Sequence, residues 1–324
     1  MQIQDVFRLY AEDLKQVKAY MESSLRSEVR LIPEIIRHII DSGGKRFRPL
    51  LLLAASDLCG YSGDRRYPLA TVIEFIHTAT LLHDDVIDEA DVRRGKASAN
   101  RVWGNAASVL VGDFLYSKSF RLLTEYGNLD IIRLLSTTSN IMSEGEVLQL
   151  LKRGDVSITE ADYLSIIDKK TAVLISAACA LGGHLGGVDP GMIEALARYG
   201  LGVGAAFQMT DDTLDYIARE DEFGKAIGKD LEEGKLTLPL IRTMAQGSKE
   251  EKTRMQTLLR KTARTPEDIG EIRALIGRYD GISYTLDKAA ALIAEARERL
   301  AVFPDTPQKT VLLTIADHIV ERKI

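Results

Sequence analysis

Between Thr71 and Gly95 the chain reads TVIEFIHTATLLHDDVIDEADVRRG, and this stretch restricts the fold more than any other. Its first half sets Val72, Ile73, Ile76, Ala79, Thr80 and Leu82 at helical spacing, which predicts a long helix from Arg65 to Glu89. Its second half turns acidic at Asp84, Asp85 and Asp88, then basic at Arg93 and Arg94. Residues four apart on a helix share one face, so Asp84 and Asp88 present paired carboxylates, with Asp85 roughly 100° round. Like charges at that spacing repel, and acids near a helix C-terminus oppose the macrodipole. Folding alone gains nothing from such a cluster. A divalent cation removes the repulsion, and an oxygen-rich site with few protein ligands suits Mg²⁺, which completes its octahedron with water and substrate phosphates.

An acidic run is ordinarily a solvated helix face. Here the spacing recurs: Asp211, Asp212 and Asp215 close another apolar helical segment, Pro190 to Tyr216. Two carboxylate clusters facing each other would hold a shared group of cations. That repetition outweighs the solvated-face reading.

The rest of the chain reads as helices. Only 8 prolines and 6% aromatics occur among 324 residues, while Leu, Ala, Ile, Glu, Lys and Arg abound, which favours helix over sheet. No Pro/Ser-rich linker or low-complexity block interrupts the sequence, so one all-α domain over residues 1–324 is expected. A net charge of −5 without a long basic tail argues against a nucleic-acid partner. Cys59 and Cys179 lie in apolar helical contexts and read as buried reduced thiols. The acidic, amphipathic N-terminus is unlike a signal peptide, and the longest apolar run, Ala172 to Gly183, is too short to span a bilayer. A cytoplasmic location is the expectation.

Helical periodicity further predicts helices at Asp5 to Leu25, Pro33 to Asp41, Leu50 to Leu58, Asn105 to Glu125 and Leu129 to Lys152. A loop is expected from Lys96 to Gly104, and a capped helix start at Thr159 with Asp162 three residues on. The C-terminal part reads as scaffold helices at Lys249 to Ala263, Pro266 to Tyr279, Ile282 to Leu300 and Gln308 to Glu321. The small residues of Ala172 to Gly183 either leave room between helices or permit close packing.

Cations gather in three places. Lys45, Arg46 and Arg48 stand at the entry to an apolar helix, where side-chain charge and outward N–H groups fit an anion. Lys170 lies in Asp168-Lys169-Lys170-Thr171, within reach of the same polar centre. Glycines alternate with lysines from Phe223 to Pro239, a flexible cationic loop able to fold over phosphates. Each reads alternatively as solvated charge. His77, two turns before Asp84, reads either as a core histidine or as a donor to a phosphate.

Together these pieces resemble the trans-isoprenyl diphosphate synthases, most closely their long-chain, octaprenyl-type branch. The resemblance spans nearly the whole chain through five motifs in family order: Gly43 to Pro49, Ile73 to Gly95, Lys170 to Ala172, Phe207 to Tyr216 and Gly224 to Pro239. It implies an antiparallel helical bundle around a deep central cavity, usually a homodimer. Asp84, Asp85, Asp88, Asp211, Asp212 and Asp215 would hold the Mg²⁺ ions that bind an allylic diphosphate, farnesyl or similar. Arg93, Lys170, Thr171, Gln208, Lys225 and Lys235 would contact that diphosphate. Lys45, Arg48, His77 and Arg94 would hold isopentenyl diphosphate.

The implied reaction condenses these two substrates head to tail. Leaving-group charge is met by Mg²⁺ and cations, and the allylic cation reacts in a water-poor cavity. In relatives making short products a bulky aromatic closes the cavity floor near Ala79 and Thr80. Here the floor would lie deeper, at Ile76, Ile73 or Val72, which favours a long-chain product. A lipophilic product is compatible with transient membrane contact on release. Alternatives are a geranylgeranyl or farnesyl diphosphate synthase, a terpene cyclase, or a non-catalytic partner subunit. The intact second aspartate cluster argues against the cyclase.

Overall fold

Helical periodicity becomes helix in the computed structural model, which describes residues 1–44, 46–217, 229–261 and 264–321. In order these are α1 (Ile3–Leu9), α2 (Ala11–Ser24), α3 (Leu31–Asp41), α4 (Phe47–Leu58), α5 (Arg66–Ile87), α6 (Ala99–Trp103), α7 (Asn105–Tyr126), α8 (Leu129–Lys152) and α9 (Glu160–Ile167). A π-helical segment, Asp168–Ala172, leads into α10 (Val173–Gly186), and α11 (Pro190–Ile217) follows. Beyond it come the short helix Lys229–Glu232 and the helices Leu238–Gln246, Lys249–Leu259, Pro266–Arg278, Gly281–Arg299 and Pro307–Glu321. The fold is all-α; among the described residues the strands are β1 (Val92–Arg93) and β2 (Lys96–Ala97), a single antiparallel hairpin. Lys45 and Lys225, both expected to bind diphosphate, lie outside the described residues, as do residues 262–263 at the end of one expected helix.

Two compact units emerge: Met1–Ser139, Leu174–Ala197 and Leu300–Ile315 in the first, Asn140–Val173, Arg198–Arg299 and Ala316–Ile324 in the second. In the first, α5 is the core helix. Thr71 to Ile76 are buried without a break, and α5 packs chiefly on α7, with α2 and α4 also against it. Each fully buried Leu, Ile or Phe of this helix stabilises the unit by about 1.5–3 kcal/mol relative to exposure. The small residues of α10 serve close packing: a Cβ on Gly182 would lie 2.6 Å from Ala55 Cβ and Ser56 N of α4.

Three local expectations change. Asp5 to Leu25 breaks at Tyr10, whose buried hydroxyl donates to Asp57 Oδ2 at 2.9 Å; Asp57 and Asp13 in turn accept from Arg66 at 2.7 Å. The expected loop after Gly95 contains β2 and α6. The Arg94-Gly95 turn of the hairpin has both φ angles positive, 52° and 77°, the geometry that matches strand twist. Cys179 is buried as expected, whereas Cys59 is only partly covered, and burial still pushes its thiol up to about 11.

In the second unit Tyr216, Leu231, Leu240, Leu258, Ile272 and Ile276 share one apolar cluster that supports the residues around Asp230. The π-helical segment is held between two glycines. A Cβ on Gly145 would lie 2.8 Å from Lys170 N, and one on Gly204 2.6 Å from Ala172 Cα. Only glycine lets the backbones of α8 and α11 approach a widened turn this closely.

Candidate active site

The first acidic turn ends α5. Asp84 and Asp88 are half-buried on successive turns, and the Asp88 N–H closes the helix on Asp84 O at 2.8 Å. Asp85, between them, is 1% exposed. Arg93 of β1 donates to its Oδ1 from Nε at 2.8 Å and from a terminal guanidinium nitrogen as well. A carboxylate buried this deeply demands such a partner. Asp85 is therefore committed to Arg93.

A cationic group surrounds His77. Arg48, Arg94, Arg93 and Arg46, in that order of influence after burial itself, push the imidazole well below its ordinary value, so it is neutral. It can donate a hydrogen bond but carries no charge. The members are held differently. Arg46 pairs with buried Glu74 and donates to Ile40 O at 3.0 Å, which gives it a structural duty. Arg94 donates to Gly43 O, and a Cβ on Gly44 would sit 2.7 Å from its guanidinium. Ala79 and Ile76 are fully buried inside this unit; Thr80 is half-buried and donates to His77 O at 2.8 Å.

The second acidic turn lies near the end of α11, beside a pocket of about 120 Å³ lined by Lys170, Thr171, Gln208, Asp212, Asp230 and Lys235 among others. Asp212 is buried; Tyr163 Oη donates to its Oδ2 and Gln208 Nε2 to its Oδ1, both at 2.7 Å. Thr171 Oγ1 donates to Gln208 Oε1 at 2.9 Å. Burial raises Asp212 to about 6; the bonds from Tyr163 and Gln208 pull it down, and the Asp211 and Asp215 charges push it up. Asp215 accepts the N–H groups of Lys229 and Asp230 at 3.2 and 3.0 Å. Lys170 Nζ donates to Glu146 Oε2 at 2.7 Å and Gln149 Oε1 at 2.9 Å, while Lys235 Nζ meets Glu233 at 2.7 Å.

Sequence reasoning missed three residues here. Asp230 lines the pocket, and burial followed by the charges of Asp212 and Asp215 raises its carboxyl well above the ordinary range. Tyr163 and Glu146 are the others; the seven-residue step from Tyr163 to Lys170 was the available signal.

The acids fit a divalent cation. Among the described residues no group of three His, Cys, Asp or Glu side chains is placed to hold a metal ion by itself. The crowding of Asp212, Asp215 and Asp230 is the kind of cost that positive charge relieves.

Comparisons with known proteins agree with this chemistry. Residues 29–276 match the profile of the polyprenyl synthetase family. Octaprenyl diphosphate synthase of Escherichia coli is 40% identical over 322 residues, 99% of each chain. A decaprenyl diphosphate synthase of Rhodobacter capsulatus superposes with a TM-score of 0.94 at 42% identity, covering 98% of each chain. A polyprenyl synthase of Caulobacter crescentus, solved with calcium and isoprenyl diphosphate, does so with a TM-score of 0.94 at 40% identity, covering 100% of this chain and 98% of its own.

Proposed function

The chain belongs to the polyprenyl synthetase family and is a long-chain trans-prenyltransferase, and from that premise we propose how its own residues condense isopentenyl diphosphate with an allylic diphosphate. Asp84 and Asp88, with Asp211 and Asp215, are the ligands for divalent cations, and their hard oxygens suit Mg²⁺. When bound, the cations stabilise the negative charge that develops on the departing diphosphate. Asp85 and Asp212 act from behind: the first holds Arg93, the second is aligned by Tyr163 and Gln208. The pocket beside the second acidic turn, lined by Lys170, Thr171, Gln208 and Lys235 together with Asp212, is the observation that carries the reading.

Arg93, Lys170, Thr171, Gln208, Lys225 and Lys235 contact the allylic diphosphate. Lys45, Arg48 and Arg94 supply charge to isopentenyl diphosphate, and neutral His77 supplies an N–H. Breaking the allylic C–O bond leaves a cation, which the alkene of isopentenyl diphosphate attacks. Loss of a proton to the released diphosphate then restores an alkene one unit longer. Fixing both substrates by their diphosphates supplies the proximity.

The small side chain of Ala79 would leave the floor to deeper residues such as Ile76, which favours an octaprenyl-like product. Ala79→Phe should shorten the products when they are separated against chain-length standards; unchanged lengths would remove that argument. Leu110 and Phe120 stand exposed on α7, a surface suited to a second copy, so a homodimer is the proposed state, to be checked by sedimentation. Among the described residues no helix is long and apolar enough to cross a membrane; we place the enzyme in the cytoplasm, with at most transient membrane contact.

The decisive experiment incubates the purified chain alone with farnesyl diphosphate and labelled isopentenyl diphosphate. Incorporation into long polyprenyl chains, absent without Mg²⁺, is expected. No incorporation would leave only a partner-subunit role, and products stopping at geranylgeranyl would overturn the chain length.

A further inference from the structure

We propose that His83 is a positioning residue that fixes the ion-binding turn of α5 against α7; the inference rests on Asp84 and Asp88 being cation ligands. That turn has reason to fray. Its carboxylates repel, and its acids oppose the helix dipole. The segment that holds it is α6–α7. Ser108 Oγ donates to Leu82 O at 2.9 Å, and Asn100 Nδ2 donates to Asp85 O at 3.0 Å. Between these two grips lies His83.

Its Nε2 is 3.1 Å from Val109 O and 3.4 Å from Asp113 Oδ1, both of α7. A carbonyl only accepts, so Nε2 carries the proton and donates. The ring also stacks on Tyr116, with centroids 6.1 Å apart and planes 23° apart. Gly112 makes the seat: a Cβ there would lie 2.2 Å from His83 Nε2 and 2.6 Å from Cδ2. Glycine in a helix interior is destabilising relative to alanine, and room for the His83 ring is what it gains here. Residues 82, 83 and 85 are thus tied to α6–α7, and Asp84 stands between them.

The test uses His83→Leu, His83→Gln, Gly112→Ala and the double variant Gly112→Ala with His83→Leu. His83→Leu should raise the Mg²⁺ needed for half-maximal activity about 10-fold and lower kcat similarly, with the KM for isopentenyl diphosphate within about twofold. His83→Gln keeps an N–H donor and should recover to within about threefold of the native chain. Gly112→Ala should resemble His83→Leu, and the double variant should be no worse than either single one. Without turnover, the rise in Tm given by Mg²⁺ plus inorganic pyrophosphate should shrink in His83→Leu.

Native Mg²⁺ response and native thermal shift in His83→Leu would overturn the inference, even with a lowered metal-free Tm, because His83 would then only pack. Gln performing no better than Leu, or additive losses in the double variant, would also overturn it. Should Gly112→Ala not fold, the His83 pair decides alone. A native chain that shows no shift with Mg²⁺ and pyrophosphate would remove the ion-binding reading itself, and this inference with it.

Discussion

The two acidic turns share one spelling and settle their middle aspartate in opposite ways. In the first, Asp85 meets a guanidinium, and Arg93 Nε lies 2.8 Å away, so charge is matched by charge. In the second, Asp212 meets the neutral donors Tyr163 and Gln208. Neutral donors orient a carboxylate without cancelling its charge, and burial lifts this one to about 6. The first turn is therefore electrostatically closed at its centre. The second retains a negative charge that an incoming cation relieves. A repeated motif does not make a repeated environment; the hairpin decides one and α9 with α11 the other.

The largest expected effect tests what the turns have in common. Asp84→Asn with Asp88→Asn, and separately Asp211→Asn with Asp215→Asn, should each lower kcat/KM by at least about 10³-fold. A pair that stays within about tenfold removes its turn from the ion site.

The middle residues should then part company. Asp85→Asn leaves Arg93 partly buried without its carboxylate and should lose about 2–4 kcal/mol by thermal unfolding. Asp212→Asn should be neutral or stabilising near neutral pH. Equal losses would erase the distinction between the turns.

A subtler separation is in pH. A carboxyl raised in the folded state contributes stability that is complete below its unfolded value, 3.8, and lost as pH rises through about 6. Between about pH 5 and pH 7.5 the metal-free native chain should lose stability relative to Asp212→Asn, as Asp212 and Asp230, both raised and facing each other, give up protons as a pair. His77, pushed down, works in the opposite sense, losing stability as pH falls, so the difference between the two proteins is the quantity to measure. A flat difference would show Asp212 to be charged throughout.

The smallest effect is expected for Tyr163→Phe, which removes one of the two donors on Asp212. Stability should fall by about 1 kcal/mol and the Asp212 pKa should rise. Activity should drop about fivefold to tenfold with the KM for isopentenyl diphosphate unchanged.

Much of this is legible in the sequence. The Thr159 and Asp162 capping box forms as spelled, with Asp162 N to Thr159 Oγ1 at 3.1 Å. α5 and α11 follow from their apolar spacing, because burial enforces the same period that the sequence displays. What stayed hidden depends on residues distant in the chain. The helix breaks at Tyr10, whose hydroxyl bonds the distant Asp57, and nothing in the local periodicity interrupts there. A two-residue strand offers no alternation to detect. The commitment of Asp85 to Arg93 and the alignment of Asp212 by Tyr163 are tertiary facts. So is the role of Asp230, whose neighbours on α11 are fourteen or more positions away.

The π-helical segment at Asp168–Ala172 acts as a vernier. Tyr163 and Thr171 are eight residues apart, a separation that an uninterrupted α-helix would leave roughly 80° out of phase. Both nonetheless reach the same side of α11, Tyr163 to Asp212 and Thr171 to Gln208 one turn earlier. The widened turn absorbs the mismatch. Deleting one residue from it would make the backbone more regular and the site less aligned, so in this enzyme local perfection and catalytic register pull apart.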